Sequence, residues 1–129
     1  MTRSLTALAL LLAVAAPALA HHSFDAEYDS NKVANISGFV TKVDWQNPHA
    51  FVYIDVAPDN DAKGGVKSFR VEMGPPYALV RGGWKKDTVK IGDKVTVEGA
   101  ALAKDGSNAA GSMPTTMMVL ASGQKLVMR

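Results

Sequence analysis

The stretch Asp44-Trp45-Gln46-Asn47-Pro48-His49-Ala50-Phe51-Val52-Tyr53 joins two strand-like runs through a turn. Proline fixes its own φ and asparagine hydrogen-bonds to nearby backbone, so an Asn-Pro pair favours a turn between strands. His49, which is the only histidine after position 22, lies where the second run begins. The stretch therefore predicts β-structure with a histidine at the start of a strand.

Residues 49–56 and 68–73 each alternate in side-chain character with a period of two. This period places successive side chains on opposite faces of a strand. The alternating set that includes Val52 and Val71 is therefore predicted to be buried, and the two runs are predicted to form a hairpin. The other face of this hairpin carries His49, Phe51, Tyr53, Arg70 and Glu72.

Further strands are predicted on both sides of this hairpin. Upstream, residues 33–45 favour one long strand, and Gly38 within it indicates a bulge or bend. Residues 104–112 are rich in Gly, Asn and Ala and predict a loop. The shorter strands predicted downstream cover residues 95–99, 115–121 and 124–128.

A short helix is predicted over residues 77–81, because prolines precede it and Gly82-Gly83 follows it. The predicted order is a long bent strand, two more strands, a short helix and a closing hairpin. This is the order of a small oligonucleotide/oligosaccharide-binding (OB) barrel. The predicted fold class is therefore all-β, a five-stranded OB-like barrel with one short helix between strands 3 and 4. A β-sandwich is the alternative, but it needs seven or more short strands.

Residues 1–20 have the character of a secretory signal peptide. Arg3 supplies a positive charge, residues 5–15 are apolar, and Ala18-Leu19-Ala20 is a small-x-small cleavage site. The apolar run is shorter than the roughly 20 residues that span a bilayer, so we expect cleavage and no stable membrane anchor. The predicted organisation of this periplasmic or secreted protein is a signal peptide (1–20), an extended N-terminal arm (21–32) and the OB-like domain (33–129).

Charge and cysteine content exclude several classes of protein. The formal net charge is +2 for the whole chain and +1 once Arg3 is removed with the signal peptide. Nucleic-acid-binding proteins draw affinity from clustered Lys and Arg, and the chain has no such cluster. The chain also contains no cysteine, so its fold is held without disulfides.

Several blocks of sequence carry a resemblance to a known family. They are His21-His22-Ser23-Phe24, residues 43–50, residues 74–79 with Gly83-Trp84, and residues 92–99. Together they resemble an uncharacterised family of small exported bacterial proteins, a domain of unknown function. The resemblance implies export, an all-β barrel-like domain and a histidine pair accompanied by a Trp-x-Asn-Pro-His turn, and it implies no activity.

A metal site is the sharpest functional hypothesis that the residues support. Cleavage after Ala20 makes His21 the first residue, so its free amine and its imidazole can chelate one ion together. His22 and His49 supply further imidazoles, which suit copper, zinc and nickel. An oxygen ligand is available from Asp25, Glu27 or Asp44. The predicted metal ligands are His21, His22 and His49, with copper or another transition metal as the cofactor.

Two alternatives compete with this metal site. The histidines are also consistent with solvated residues beside a cleavage site and with a turn residue at position 49. A binding module without metal would instead use Phe51, Tyr53, Arg70 and Glu72 to hold a small ligand or another exported protein. Phe51 and Tyr53 could equally be covered by aromatic rings of the N-terminal arm.

An enzyme is the least supported class. The serines have no nucleophile-elbow context, and the glycine pairs at 64–65 and 82–83 do not follow the strand-to-helix pattern of a phosphate-binding loop. No catalytic residue is predicted, and a binding protein is favoured over an enzyme.

Overall fold

Seven β-strands and two short helices make up the part of the chain that the computed structural model describes, residues 23–57 and 65–129. The mostly β character predicted from the sequence is confirmed. In chain order the elements are α1 (residues 23–27), β1 (Tyr28–Asp44), β2 (Phe51–Val56), β3 (Lys67–Glu72), α2 (Pro76–Arg81), β4 (Lys94–Ala103), β5 (Ala109–Gly111), β6 (Met117–Val119) and β7 (Lys125–Val127).

The strands form one mixed sheet in the order β1-β2-β3-β5-β4-β6-β7, and β1 also pairs with β4. Because of this extra pairing, β1, β2, β3, β5 and β4 form a closed ring of five strands. The β3–β5 pairing is parallel, and the other pairings are antiparallel. β6 pairs with β4 outside the ring, and β7 pairs with β6.

The central hairpin has the alternation that the sequence predicts. Val52 of β2 pairs with Val71 of β3, and both side chains are fully buried. Phe51 pairs with Glu72, and Tyr53 pairs with Arg70, on the opposite face. This register fixes which side chains can meet outside the core.

The helix α2 lies between β3 and β4, as predicted. Pro76 occupies its first turn, where a missing N–H costs no helical hydrogen bond, and Gly82 caps its end. Leu79 points from this helix into the core and is fully buried. Trp84 follows the helix, is 3% exposed, and donates from Nε1 to the Val127 carbonyl at 2.7 Å. The helix and this indole thus cover one end of the core.

The prediction of a loop over residues 104–112 is wrong, because β5 lies within it. Ala109-Ala110-Gly111 has little intrinsic preference for a strand, and its pairing with both β3 and β4 determines its conformation. The predicted strand over residues 115–121 shortens to β6, and it is β5 that completes the ring. The strand predicted over 124–128 is present as β7.

The extended arm predicted over residues 21–32 overlaps the first helix and the start of the first strand. Residues 23–27 are helical, and β1 begins at Tyr28 instead of Val33. Tyr28 pairs with Ala103 of β4, and the residue is 2% exposed. Burial of this aromatic ring outweighs the polar character of its neighbours and extends the strand.

Gly38 allows β1 to approach β2 closely. The register of β1 shifts between Ala34 and Ile36 and between Val40 and Lys42, so the predicted irregularity lies on both sides of Gly38. A Cβ atom at position 38 would lie 2.0 Å from the Asp55 carbonyl oxygen, a distance that no side chain can occupy.

Within the described ranges, no helix is long and apolar enough to cross a bilayer.

Candidate functional site

A cleft of about 370 Å³ lies beside the central hairpin, and four of the five predicted surface residues line it. This His49 cleft is formed by the end of the β2–β3 hairpin, by the N-terminal helix α1 and by the last residue of the sequence. Its lining residues are Ser23, Phe24, Glu27, Pro48, His49, Phe51, Arg70, Glu72 and Arg129.

Glu72 is the centre of the hydrogen bonding in the His49 cleft. Its Oε1 lies 2.6 Å from His49 Nδ1, and its Oε2 accepts a hydrogen bond from the Tyr28 hydroxyl at 2.7 Å. The Glu72 side chain is 15% exposed, whereas that of His49 is 39% exposed. Both carboxylate oxygens are therefore engaged, and the partly buried charge of Glu72 is stabilised by two donors.

The contact with Glu72 determines which ring nitrogen of His49 is available. A neutral imidazole that donates from Nδ1 keeps its lone pair on Nε2. Nε2 is then the nitrogen that can accept a proton or bind a metal ion. A histidine oriented by a carboxylate in this way is typical of metal sites in proteins.

Tyr28 links the N-terminal part of β1 to this carboxylate. Burial raises the pKa of the Tyr28 phenol well above its ordinary value, and the hydrogen bond to Glu72 and the charge of Glu72 add to the increase. The Tyr28 ring also packs against Phe24, with the ring centroids 5.0 Å apart. A Cβ at Gly111 would come within 2.6 Å of the Tyr28 ring and 2.7 Å of the Phe24 ring. Gly111 therefore makes room for both rings.

We expect Tyr28 to ionise only when the fold is lost. The folded protein holds the Tyr28 proton more tightly than the unfolded chain, so this contribution to stability is complete below about pH 10 and decreases as the pH rises further. The test is an alkaline titration of phenolate absorbance, with circular dichroism, on wild type and Tyr28→Phe. The absorbance difference between the two proteins should appear together with unfolding of the wild type. A difference appearing near pH 10 with native dichroism would contradict the expectation.

Two arginines contribute positive charge to the His49 cleft. The Arg70 guanidinium carbon lies 5.0 Å from the centroid of the Phe51 ring. The Arg129 guanidinium carbon lies 4.7 Å from the centroid of the Phe24 ring, and Arg129 Nη1 donates to the Ser112 carbonyl at 2.8 Å. Each cation thus rests on an aromatic ring that also lines the cleft.

Tyr53 and Asp44 lie outside the set of residues that line this cleft. Tyr53 shares the outer face of β2 with Phe51, but the Lys42 ammonium lies 5.1 Å from the centroid of its ring. The same Lys42 pairs with Asp44 at 3.2 Å. Of the three carboxylates considered as oxygen ligands, Glu27 is the one that lines the cleft.

The predicted ligands His21 and His22 lie outside the described residues. Ser23, which follows His22 in the sequence, lines the His49 cleft. Within residues 23–57 and 65–129, no group of three or more His, Cys, Asp or Glu side chains is placed to hold a metal ion. Of the predicted histidine set, the described structure therefore contains one member, His49, in a cleft that the N-terminal segment enters.

A second cleft of about 470 Å³ lies on the other side of Glu27 and Arg70, which line both clefts. Lys104 in this second cleft donates from Nζ to the Asp25 carbonyl. A hydrogen bond from the Ser107 side chain, together with one from the Ser107 amide at 2.9 Å, lowers the pKa of Asp105. The Asp105–Ser107 contact stabilises a local turn, and the Lys104 contact joins the residue after β4 to α1. Both have a structural role, so the His49 cleft is the better candidate for a functional site.

Phe24, Tyr28 and Arg129 are residues at the site that the sequence did not identify as functional. An aromatic residue in an otherwise polar segment indicates that Tyr28 needs a place to be buried, although not where. Arg129 lies far from the hairpin in the sequence, and its position in the same cleft depends on the path of the chain after β7. No local pattern signals that position.

A family described as "Family of unknown function (DUF6152)" matches residues 8–112. No curated protein and no solved structure matches the chain.

Proposed function

Because the chain belongs to the family of unknown function DUF6152, we propose a function from its own residues: it is an exported binding protein that takes up copper or another transition metal ion in the His49 cleft. The proposed ligands are His21, His22 and His49. The proposed function is binding of the metal ion, and no catalytic step is proposed.

The observation that carries this proposal is the 2.6 Å contact between His49 Nδ1 and Glu72 Oε1. A carboxylate that accepts from one ring nitrogen fixes the orientation of the ring and makes the other nitrogen a better metal ligand. Glu72 is itself held by the Tyr28 hydroxyl, so the orientation of His49 is supported from behind. In the proposed metal site, Glu72 and Tyr28 would orient the ligand His49 without binding the metal ion themselves.

The remaining ligands of the proposed site come from the N-terminus. Export with cleavage after Ala20 would give His21 a free amine, and an amine with its own imidazole forms a chelate that suits copper. Ser23 lines the same cleft as His49, which supports a site to which both segments contribute. Glu27 also lines the cleft and is the candidate for an oxygen ligand.

The closed ring of five strands supports a finer description of the fold. We propose that it is an OB-like barrel, since α2 lies between the third and fourth strands of the chain and the ring closes through β1 and β4. In barrels of this type the ligand face lies over the second and third strands, which here carry Phe51, Arg70 and Glu72. We further propose a periplasmic or secreted location, after removal of residues 1–20.

A metal-free binding module is the second candidate function. It would hold a small ligand or another exported protein with Phe51, Tyr53, Arg70 and Glu72, and nucleic acid is not proposed as a partner. The observation in its favour is the Arg70 guanidinium 5.0 Å from the Phe51 ring centroid, which presents a planar cation at the edge of the cleft. On this reading His49 is a structural partner of Glu72.

Calorimetric titration with Cu²⁺ and Zn²⁺ tests the proposed metal site. We expect one-to-one binding by protein that begins at His21, and a loss of at least tenfold in affinity when one residue is added before His21. The extension removes the primary amine from the chelate and leaves the imidazoles in place.

Two further variants separate the candidate functions in the same titration. His49→Ala should abolish tight binding, whereas Phe51→Ala, which changes the same cleft without removing a ligand, should leave it unchanged. Equal, weak binding by the His21-start protein and the extended protein would overturn the metal proposal. So would full affinity in His49→Ala.

A further inference from the structure

The two arginines of the His49 cleft form no direct ion pair within the described part of the chain. Neither Arg70 nor Arg129 forms an ion pair with any Asp or Glu in residues 23–57 and 65–129. Glu72 lines the same cleft, but its two oxygens accept from His49 and Tyr28. This carboxylate therefore accepts its hydrogen bonds from donors other than the two arginines.

Each guanidinium of the cleft lies over an aromatic ring. Arg70 lies over Phe51 and Arg129 lies over Phe24, at 5.0 and 4.7 Å between the guanidinium carbon and the ring centroid. Arginine has five N–H donors in one plane, which is more than one contact can use. Arg129 Nη1 already donates a hydrogen bond to the Ser112 carbonyl at 2.8 Å. The remaining donors can hydrogen-bond to a ligand.

The size and the walls of the cleft limit what this ligand can be. A volume of about 370 Å³ suits a small molecule. Phe24 and Phe51 add apolar surface beside the two cations, whereas Glu27 and Glu72, which also line the cleft, add negative charge. These features favour a singly charged anion with an apolar body over a compact, highly charged one.

We infer that the His49 cleft binds a small organic carboxylate, with Arg70 and Arg129 as its hydrogen-bond donors. The carboxylate accepts from the guanidinium edges, where a planar fork matches a planar acceptor. Phe24 and Phe51 contact the apolar body of the ligand and hold the two cations in place. The inference concerns different side chains from those of the metal proposal and requires no metal ion.

The experiment measures binding of benzoate to metal-free protein. Protein recovered from cells that express the full chain is treated with a chelator, exchanged into buffer without metal, and titrated with benzoate by NMR. We expect saturable binding at millimolar concentration or below, with shifts at Phe51 and Arg70 amides. Benzamide has the same shape without the charge and should not bind. Inorganic phosphate should bind more weakly than benzoate, because Glu27 disfavours multiple negative charge.

Arginine variants test the assignment of the donors. Arg70→Gln and Arg129→Gln should each weaken benzoate binding about tenfold or more, because a charge-assisted bidentate contact is lost. Arg81→Gln is the matched control, since the Arg81 guanidinium also lies over an aromatic ring, Tyr77 at 5.5 Å, on α2 outside the cleft. This control should bind benzoate like the wild type.

Three outcomes would overturn the inference. They are no saturable binding up to about 10 mM benzoate, equal binding of benzamide, and undiminished binding by both cleft variants. Because the protein is metal-free, the result is separate from the copper titration. Benzoate binding without copper binding would overturn the metal proposal and support the carboxylate site. Copper binding without benzoate binding would support the metal proposal and overturn the carboxylate site.

Discussion

Replacing Gly38 by alanine is expected to lower the free energy of unfolding by about 3 kcal/mol or more, at the upper end for an overpacked site. The added Cβ would lie 2.0 Å from the Asp55 carbonyl oxygen and 2.8 Å from its carbonyl carbon. Both atoms belong to the backbone of β2, so no rotamer change can relieve the overlap. The two strands must separate where Phe39 pairs with Asp55.

Denaturant unfolding followed by circular dichroism measures this effect. Gly65→Ala is the matched control, because a Cβ at that position meets no atom of the described residues within 4 Å and its backbone is not in the left-handed region. The control should change stability by less than about 0.5 kcal/mol. A Gly38→Ala protein as stable as Gly65→Ala would show that β1 and β2 are not paired in this register.

Replacing Glu72 by alanine is expected to weaken copper binding by about 10- to 100-fold, the usual effect of losing the carboxylate that orients a metal-binding histidine. The expectation rests on the proposed metal site. The variant removes the acceptor for His49 Nδ1 and for the Tyr28 hydroxyl. Leaving these donors without a partner should also cost about 1–3 kcal/mol of stability.

Titration and the copper spectrum together separate a positioning role for Glu72 from a purely structural one. Tyr28→Phe removes the hydroxyl from Glu72 but keeps the contact with His49, so it should retain most of the affinity. Glu98→Ala is the matched control, because Glu98 pairs with Lys125 at 3.2 Å on the surface and is 40% exposed. It should change neither affinity nor spectrum. Unchanged affinity and spectrum in Glu72→Ala would rule out its positioning role.

The parts of the fold that the sequence predicts are those with strong local signals. Val52 and Ile54 alternate with half-exposed neighbours, and both are buried in β2. Pro76 and Gly82 mark the ends of α2 by fixed backbone preferences. At Met117 and Met118, adjacency alone requires opposite faces, and Met118 is the buried one. Each of these results follows from a few neighbouring residues.

The parts that were missed depend on residues distant in the chain. Ala110 is fully buried in β5 between β3 and β4, yet alanine and glycine have low strand propensity. Its conformation comes from backbone pairing with β3 and β4, which no local pattern reveals. The start of β1 at Tyr28 likewise depends on pairing with Ala103.

The candidate site was predictable in part. Alternation places Phe51, Arg70 and Glu72 on one face, and the turn places His49 beside them, as the structure has it. The contact between Glu72 and Tyr28 crosses from β3 to β1 and needs the ring to be closed. Arg129 reaches the cleft from the end of the described chain. A pattern within one hairpin cannot supply residues from outside it.

The shortness of β5 has a consequence for how the ring comes apart. β5 contributes three residues, whereas β1 contributes 17 and β4 contributes 10. We therefore expect the amide hydrogens at the β3–β5 and β4–β5 contacts to exchange with solvent before those of the β1–β4 ladder. Release of β5 would uncover one edge of β3 and part of an edge of β4, both with free backbone donors and acceptors. Self-association of this protein through strand exchange would then begin at residues 109–111, the segment with the weakest strand preference.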